Sequence, residues 1–212
     1  MKDKIIIGLT GYYCAGKNHV AVLLEQRSIP VLDVDKLGHE TIEKEKKKII
    51  AIFGDGILGN DGFVDRKRLG AKVFGNSGKL AALEEIIHPE VNRETLAWIH
   101  ARKEKVCAIN AALLHRSSAF EALGAVIIVE APFIIRLLRA RKRDKLPWTA
   151  LIKRIRSQNK FYSQYFKEKT DIYRVSNPSG CIFSGRHGSR SRSLRNTPEN
   201  RIDEILSLLG IT

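Results

Sequence analysis

The sequence is poor in cysteine, in acidic residues and in long apolar runs, and each shortage closes off a class of protein. Its three cysteines are Cys14, Cys107 and Cys181. An odd number at no motif spacing is neither a disulfide framework nor a zinc site, and it fits a reducing compartment. No stretch approaches the roughly 18 uncharged apolar residues of a membrane span, so no membrane partner is expected. The run Ile5 to Leu9 behind Met1-Lys2-Asp3-Lys4 is too short for the core of a signal peptide, and Lys17 follows too soon. Tyr13 before Cys14 is too large for a lipid-anchor site. A cytoplasmic location is therefore expected. Asp and Glu number 23 against 37 Lys and Arg, a formal net charge of +14. That excess points to polyanionic partners without choosing among nucleotides, nucleic acid and acidic membrane, and it also serves solubility.

What is present suits one globular core of 212 residues, with or without inserted subdomains. No internal repeat is visible. Ile5 to Thr10 is a continuous apolar run ending in a glycine turn, as in a buried parallel strand. A helix is expected from His19 to Gln26 and a short strand from Ile29 to Leu32. Lys36 to about Lys105 reads as mostly helical, with helices at Arg66 to Phe74 and Leu80 to Ile87 and a longer one starting at His88-Pro89. Strands are expected at Val106 to Asn110, Ala125 to Val129 and Ile172 to Val175. Helices are expected at Pro132 to Arg143, Thr149 to Lys169 and Glu199 to Leu209, and a surface loop at Ser176 to Pro198. Trp98 and Trp148 read as packing residues. Strands alternating with helices predict an α/β fold: a parallel five-stranded sheet with helices on both faces.

The segment Gly11-Tyr12-Tyr13-Cys14-Ala15-Gly16-Lys17-Asn18 has the glycine and lysine spacing of a phosphate-binding loop. It lies between an expected strand and an expected helix, which is the context such a loop needs. Two glycines permit backbone geometry that a β-carbon forbids, and successive N–H groups converge on an anion. The positive end of the following helix adds to the field, and Lys17 reaches the β- and γ-phosphates. Asn18 stands where a hydroxyl would ligate Mg²⁺; its carbonyl oxygen can also serve. Cys14 is either a thiol activated by this setting or, the duller and favoured reading, an inert one.

Asp33 and Asp35 fall at the carboxyl end of the second strand, the edge where open parallel sheets bind ligands. A carboxylate there can take a proton from an attacking hydroxyl or hold Mg²⁺ through water. Either aspartate taken alone could instead cap a helix. His39 would share a helical face with Asp35. The basic helix carries Arg136, Arg139, Arg141, Lys142, Arg143 and Lys145. Arg139 and Arg143 are read as lid residues, because phosphoryl transfer needs movable positive charge; Arg136, Arg141 and Lys142 are read as surface. His88 either touches substrate or satisfies a helix end.

Ile7-Gly8-Leu9-Thr10-Gly11 into Gly16-Lys17, followed by Asp33-Val34-Asp35, resembles dephospho-coenzyme A kinase, a phosphate-loop kinase family of nucleoside-monophosphate-kinase-like fold. Asp65-Arg66-x-x-Leu69, Val73-Phe74 and Leu83-Glu84 through His88-Pro89-x-Val91 look like that family's substrate-binding segment. Arg139-x-x-x-Arg143-Asp144 and Arg154-Ile155-x-x-Gln158 look like its lid. The likeness covers roughly residues 4 to 180. It implies ATP-dependent phosphorylation of the ribose 3′-hydroxyl of dephospho-coenzyme A, with ATP and Mg²⁺ as cofactors. It makes Asp35 the base with Asp33 beside it, both at the substrate, and Lys17, Arg139 and Arg143 catalytic; Arg66 lies in its substrate-binding segment, and His39 and His88 are candidate substrate contacts beside it. Gly11 to His19 and Asn177 would bind ATP, with Asn18 at the metal. It implies a core of residues 1–35, 106–135 and 170–212, a helical substrate subdomain at 36–105 and lid helices at 136–169. The chain departs from the family at Tyr12-Tyr13-Cys14-Ala15, at Asn18-His19, at Ala112 and Arg116 where a proline and a glutamate are usual, and in the basic loop after Asn177. Alternatives are another nucleoside or nucleotide kinase with the same loop, or an impaired relic binding nucleic acid; nucleic acid is not the expected partner.

Overall fold

The computed structural model describes residues 4–117, 119–158, 170–178 and 197–211. They fall into two compact units, Met1–Leu32 with Lys103–Thr212, and Asp33–Arg102. The sheet strands are β1 (Ile5–Gly11), β2 (Val31–Asp33), β3 (Val106–Asn110), β4 (Ala125–Glu130) and β5 (Asp171–Ser176), in the order β2-β3-β1-β4-β5. The pairs β1–β3, β1–β4 and β4–β5 are parallel, with Leu9 opposite both Asn110 and Ile127. Central β1 and β4 are buried on both faces, which explains why they read as unbroken apolar runs.

Alternation of side chains along the strands divides the core. Ile7, Leu9, Ile127, Val129 and Val175 face α1 (Lys17–Glu25) and a C-terminal helix, Pro198–Leu208. That helix brings Ile202, Ile205 and Leu206 into the same cluster. Ile6, Cys107, Ile109, Val126 and Ile128 are buried on the other face, where Leu114 and Leu123 close over Gly8.

In the second unit α2 (Val34–Lys44), α3 (Lys46–Phe53), α4 (Arg66–Val73) and α5 (Ser77–Ala101) pack around Ile49, Phe53, Leu69, Val73 and Leu83. Side chains of Asp33, Asp65 and Asn76 cap α2, α4 and α5 by accepting from backbone N–H groups.

The expected helix start at Pro89 is not found: α5 runs through it. Proline there removes one donor and crowds the carbonyl of Glu85, on an exposed stretch of the helix where both residues face solvent. Leu83 before the proline and Thr95 and Ile99 after it stay buried and hold both halves. An interior proline costs about 3 kcal/mol, offset by about 1 kcal/mol of unfolded-chain entropy. Pro89→Ala is therefore expected to stabilise the protein by about 1–2 kcal/mol, measured by urea unfolding.

Two basic helices follow β4: α6 (Phe133–Asp144) and α7 (Trp148–Arg156). The helix expected to reach Lys169 ends at Arg156 as far as it is described, since 159–169 lie outside the described residues. Most of the expected loop at 176–198 lies outside them too. The C-terminal helix, α8 (Pro198–Leu208), matches its expected span within a residue. Trp148 is not a packing residue: it is exposed, with the Arg141 guanidinium 5.5 Å from its ring. Among the described residues no helix is long and apolar enough to cross a membrane.

Candidate active site

β1 ends at Gly11 and α1 begins at Lys17, so the intervening residues form a loop at the carboxyl edge of the sheet. At Gly11 the constraint is contact: an added Cβ would lie 2.5 Å from the Val129 carbonyl oxygen. At Gly16 it is also conformation, with φ +97 and an added Cβ only 2.1 Å from Asn177 Nδ2. Ala15 N–H closes the turn on Tyr12 C=O at 2.9 Å, and Cys14 is left-handed at φ 58. No side chain caps α1 and no acid occupies its first turn, which leaves that helix end suited to an anion.

Helix α6 grips this loop. Arg139 donates from Nη1 to Ala15 C=O at 2.9 Å and from Nη2 to Asn177 C=O at 3.1 Å. Asn177, 2% exposed, donates from Nδ2 to the same Ala15 carbonyl at 3.0 Å. Arg136, read from sequence as surface, is 8% exposed. Its Nε donates to Tyr13 C=O at 3.1 Å and its guanidinium lies 4.6 Å from the Tyr12 ring. Burial pulls its pKa down. The reason is helical spacing: 136, 139 and 143 share the face turned to the loop, and exposure rises along it from buried Arg136 to exposed Arg143, while Arg141 and Lys142 are exposed off that face. That spacing was visible in the sequence and could have found Arg136.

Arg143 reaches the loop through Tyr13, whose ring it covers at 4.9 Å, and pairs with Asp144 at 2.7 Å. The Arg143 hydrogen bond is the main cause holding the Asp144 carboxyl below its usual range. The Cys14 thiol is pushed up by burial and by the nearby Asp144 carboxylate, against the pull of Arg143, Arg136 and Arg139. The imidazole of His19, 3.5 Å from Glu199, faces α8.

At the loop's other side Asn110, the last residue of β3, donates from Nδ2 to Asn18 Oδ1 at 3.3 Å. Asn110 is 2% exposed, and its Oδ1 is buried with no hydrogen-bond partner among the described residues. An orphaned carboxamide oxygen beside a second one suits a hard cation that prefers oxygen ligands, so these residues fit Mg²⁺.

In the second unit Asp33 is the residue that caps, accepting from Lys36 N–H at 3.0 Å. Asp35 lies exposed in the first turn of α2. His39, one turn on, meets Arg66: Nη1 lies 3.0 Å from Nδ1. His88 is half-buried in the middle of α5, not at a helix end.

The sequence profile of the family described as dephospho-CoA kinase matches residues 5–172. The chain belongs to the dephospho-CoA kinase family. A curated dephospho-CoA kinase of Treponema denticola is 32% identical over 187 residues, covering 82% of this chain and 83% of its own. One of Treponema pallidum is 31% identical, with 97% and 96% covered. The crystal structure of a Thermus thermophilus protein superposes with a TM-score of 0.75 at 28% identity, over 97% of this chain and 98% of that one. Dephospho-CoA kinases are transferases that use ATP, and their role is the final step of coenzyme A biosynthesis. The five-stranded parallel sheet, the phosphate loop and the helices around it are this family's phosphate-loop kinase fold.

Proposed function

We propose that this chain moves the γ-phosphoryl group of ATP to the ribose 3′-hydroxyl of dephospho-coenzyme A in the cytoplasm. The observation that carries the reading is the Gly11–Lys17 loop, held in shape by Arg139 and Asn177 at the head of α1. Asp35 takes the hydroxyl proton as the new O–P bond forms; the bond to the β-phosphate oxygen breaks and ADP leaves. Lys17 and the α1 N-terminus neutralise charge on the phosphates, and Arg143 adds positive charge from α6. Phosphoryl transfer needs little covalent help, so positioning and electrostatics supply most of the rate. His39, Arg66 and His88 bind the acceptor. Residues 36–105 serve as the acceptor-binding part, 136–169 as lid, and the remainder as core.

Asn18 and Asn110 would hold Mg²⁺, which when bound neutralises the β- and γ-phosphate oxygens. Asn110→Leu is expected to weaken Mn²⁺ binding in the presence of ADP about tenfold, read by electron paramagnetic resonance titration. Unchanged binding would remove Asn110 from the metal site.

An acceptor panel tests the whole reading. With ATP and Mg²⁺, ADP release should depend on dephospho-coenzyme A and not on nucleoside monophosphates. The reverse preference would assign the chain a different acceptor.

A further inference from the structure

The side chain of Tyr13 takes no part in closing the phosphate loop, whose turn runs from Ala15 N–H to Tyr12 C=O. It is engaged instead by α6 and α7. Arg143 and Arg154 place their guanidinium groups 4.9 and 5.5 Å from its ring. Its hydroxyl bonds to Asp144 Oδ2 and accepts from Arg154 Nη1 at 3.4 Å. Asp144 also pairs with Arg154 at 3.6 Å. The Tyr13 N–H donates to Gln158 Oε1 at 2.7 Å, and Arg136 lies 3.4 Å from that same oxygen.

Two guanidinium groups at one ring repel each other. The negative face of the ring and the Asp144 carboxylate between them offset that repulsion. The arrangement keeps two cations beside a phosphate loop, where cations are needed only when phosphate is bound.

We propose that Tyr13 is a positioning residue for phosphoryl transfer: it holds Arg143 and Arg154 at the loop so that their charge meets the terminal phosphate of bound nucleotide. The proposal rests on the kinase reading above. Arg139 and Asn177 fix the loop backbone independently, so losing the Tyr13 side chain frees the arginines and leaves the loop.

Tyr13→Leu is expected to lower kcat about tenfold to a hundredfold, with KM for ATP little changed. Tyr13→Phe keeps both ring–cation contacts and loses only the hydroxyl, so it should recover most of that loss. In an Arg143→Ala background, Tyr13→Leu should cost much less than it does alone. A packing role would instead raise KM for ATP and lower thermal stability with kcat unchanged, and that pattern overturns the proposal. So do penalties that multiply in full. One readout needs no substrate: Tyr13→Leu should speed amide hydrogen exchange in the last turn of α6 and in α7. Unchanged exchange overturns the proposal whatever the acceptor proves to be. Absence of wild-type transfer to dephospho-coenzyme A, with exchange accelerated in Tyr13→Leu, overturns the acceptor assignment and leaves the tether standing.

Discussion

Asp35→Asn is expected to abolish phosphoryl transfer while leaving ATP binding intact. Removing a general base costs about 10²- to 10⁴-fold in rate. Asparagine matches aspartate in shape and hydrogen-bonding reach but cannot take the proton of the acceptor hydroxyl. The fold should tolerate the change. Asp35 is exposed in the first turn of α2, where a negative charge contributes about 0.3–1 kcal/mol through the helix dipole. Asp33 provides the contrast, since it already accepts from Lys36 N–H as the cap of that helix. Asparagine caps as well as aspartate, so Asp33→Asn should fold normally, and any loss of activity in it would report a role beyond capping. Transfer rates at saturating ATP, with calorimetric ATP titration beside them, separate the cases. Full activity in Asp35→Asn would mean the base lies elsewhere.

Gly16→Ala should fail differently, by losing nucleotide. The residue sits at φ +97, where an L side chain costs about 1–2 kcal/mol. Its new Cβ would lie 2.1 Å from Asn177 Nδ2, a buried atom that already donates to Ala15 C=O. Asn177 must move, and a broken buried hydrogen bond costs a further 1–3 kcal/mol, roughly. The two together should weaken ATP binding by about a hundredfold, since every 1.4 kcal/mol is about tenfold. Calorimetry with ADP reads this directly. Asn177→Ser in the same chain makes room for the methyl group and should restore part of the affinity, because the steric cost belongs to the pair. Normal ADP affinity in Gly16→Ala would show that the loop is not the nucleotide site.

The features legible in the sequence were those fixed by local pattern. β3 was bounded correctly because its apolar residues begin directly behind the charged run ending at Lys105 and are interrupted at Asn110. The loop was legible because its glycines and lysine follow a strand and open a helix. What was misread depended on partners distant in sequence. Arg136 looks like any cation on a basic helix; its burial requires Tyr12 and Tyr13, more than a hundred positions away. Tyr13 reads as a bulky loop residue until α6 and α7 are folded over it. Asn110 reads as the polar end of a strand, and only packing leaves its Oδ1 buried without a partner among the described residues. The roles of Asp33 and Asp35 turned on a single boundary: β2 ends at Asp33, so capping falls to the first aspartate and not the second. Pro89 misled because local rules place proline at a helix start, whereas burial on both sides of it keeps α5 whole.

The most direct test of the central claim follows one phosphorus atom. The protein is incubated with Mg²⁺, dephospho-coenzyme A and ATP labelled at the γ-phosphate, and the product is examined by mass and by phosphorus NMR. The account predicts coenzyme A carrying the label at the ribose 3′ position, formed in step with ADP. Label released as inorganic phosphate, or found on another acceptor while dephospho-coenzyme A stays unchanged, would contradict it.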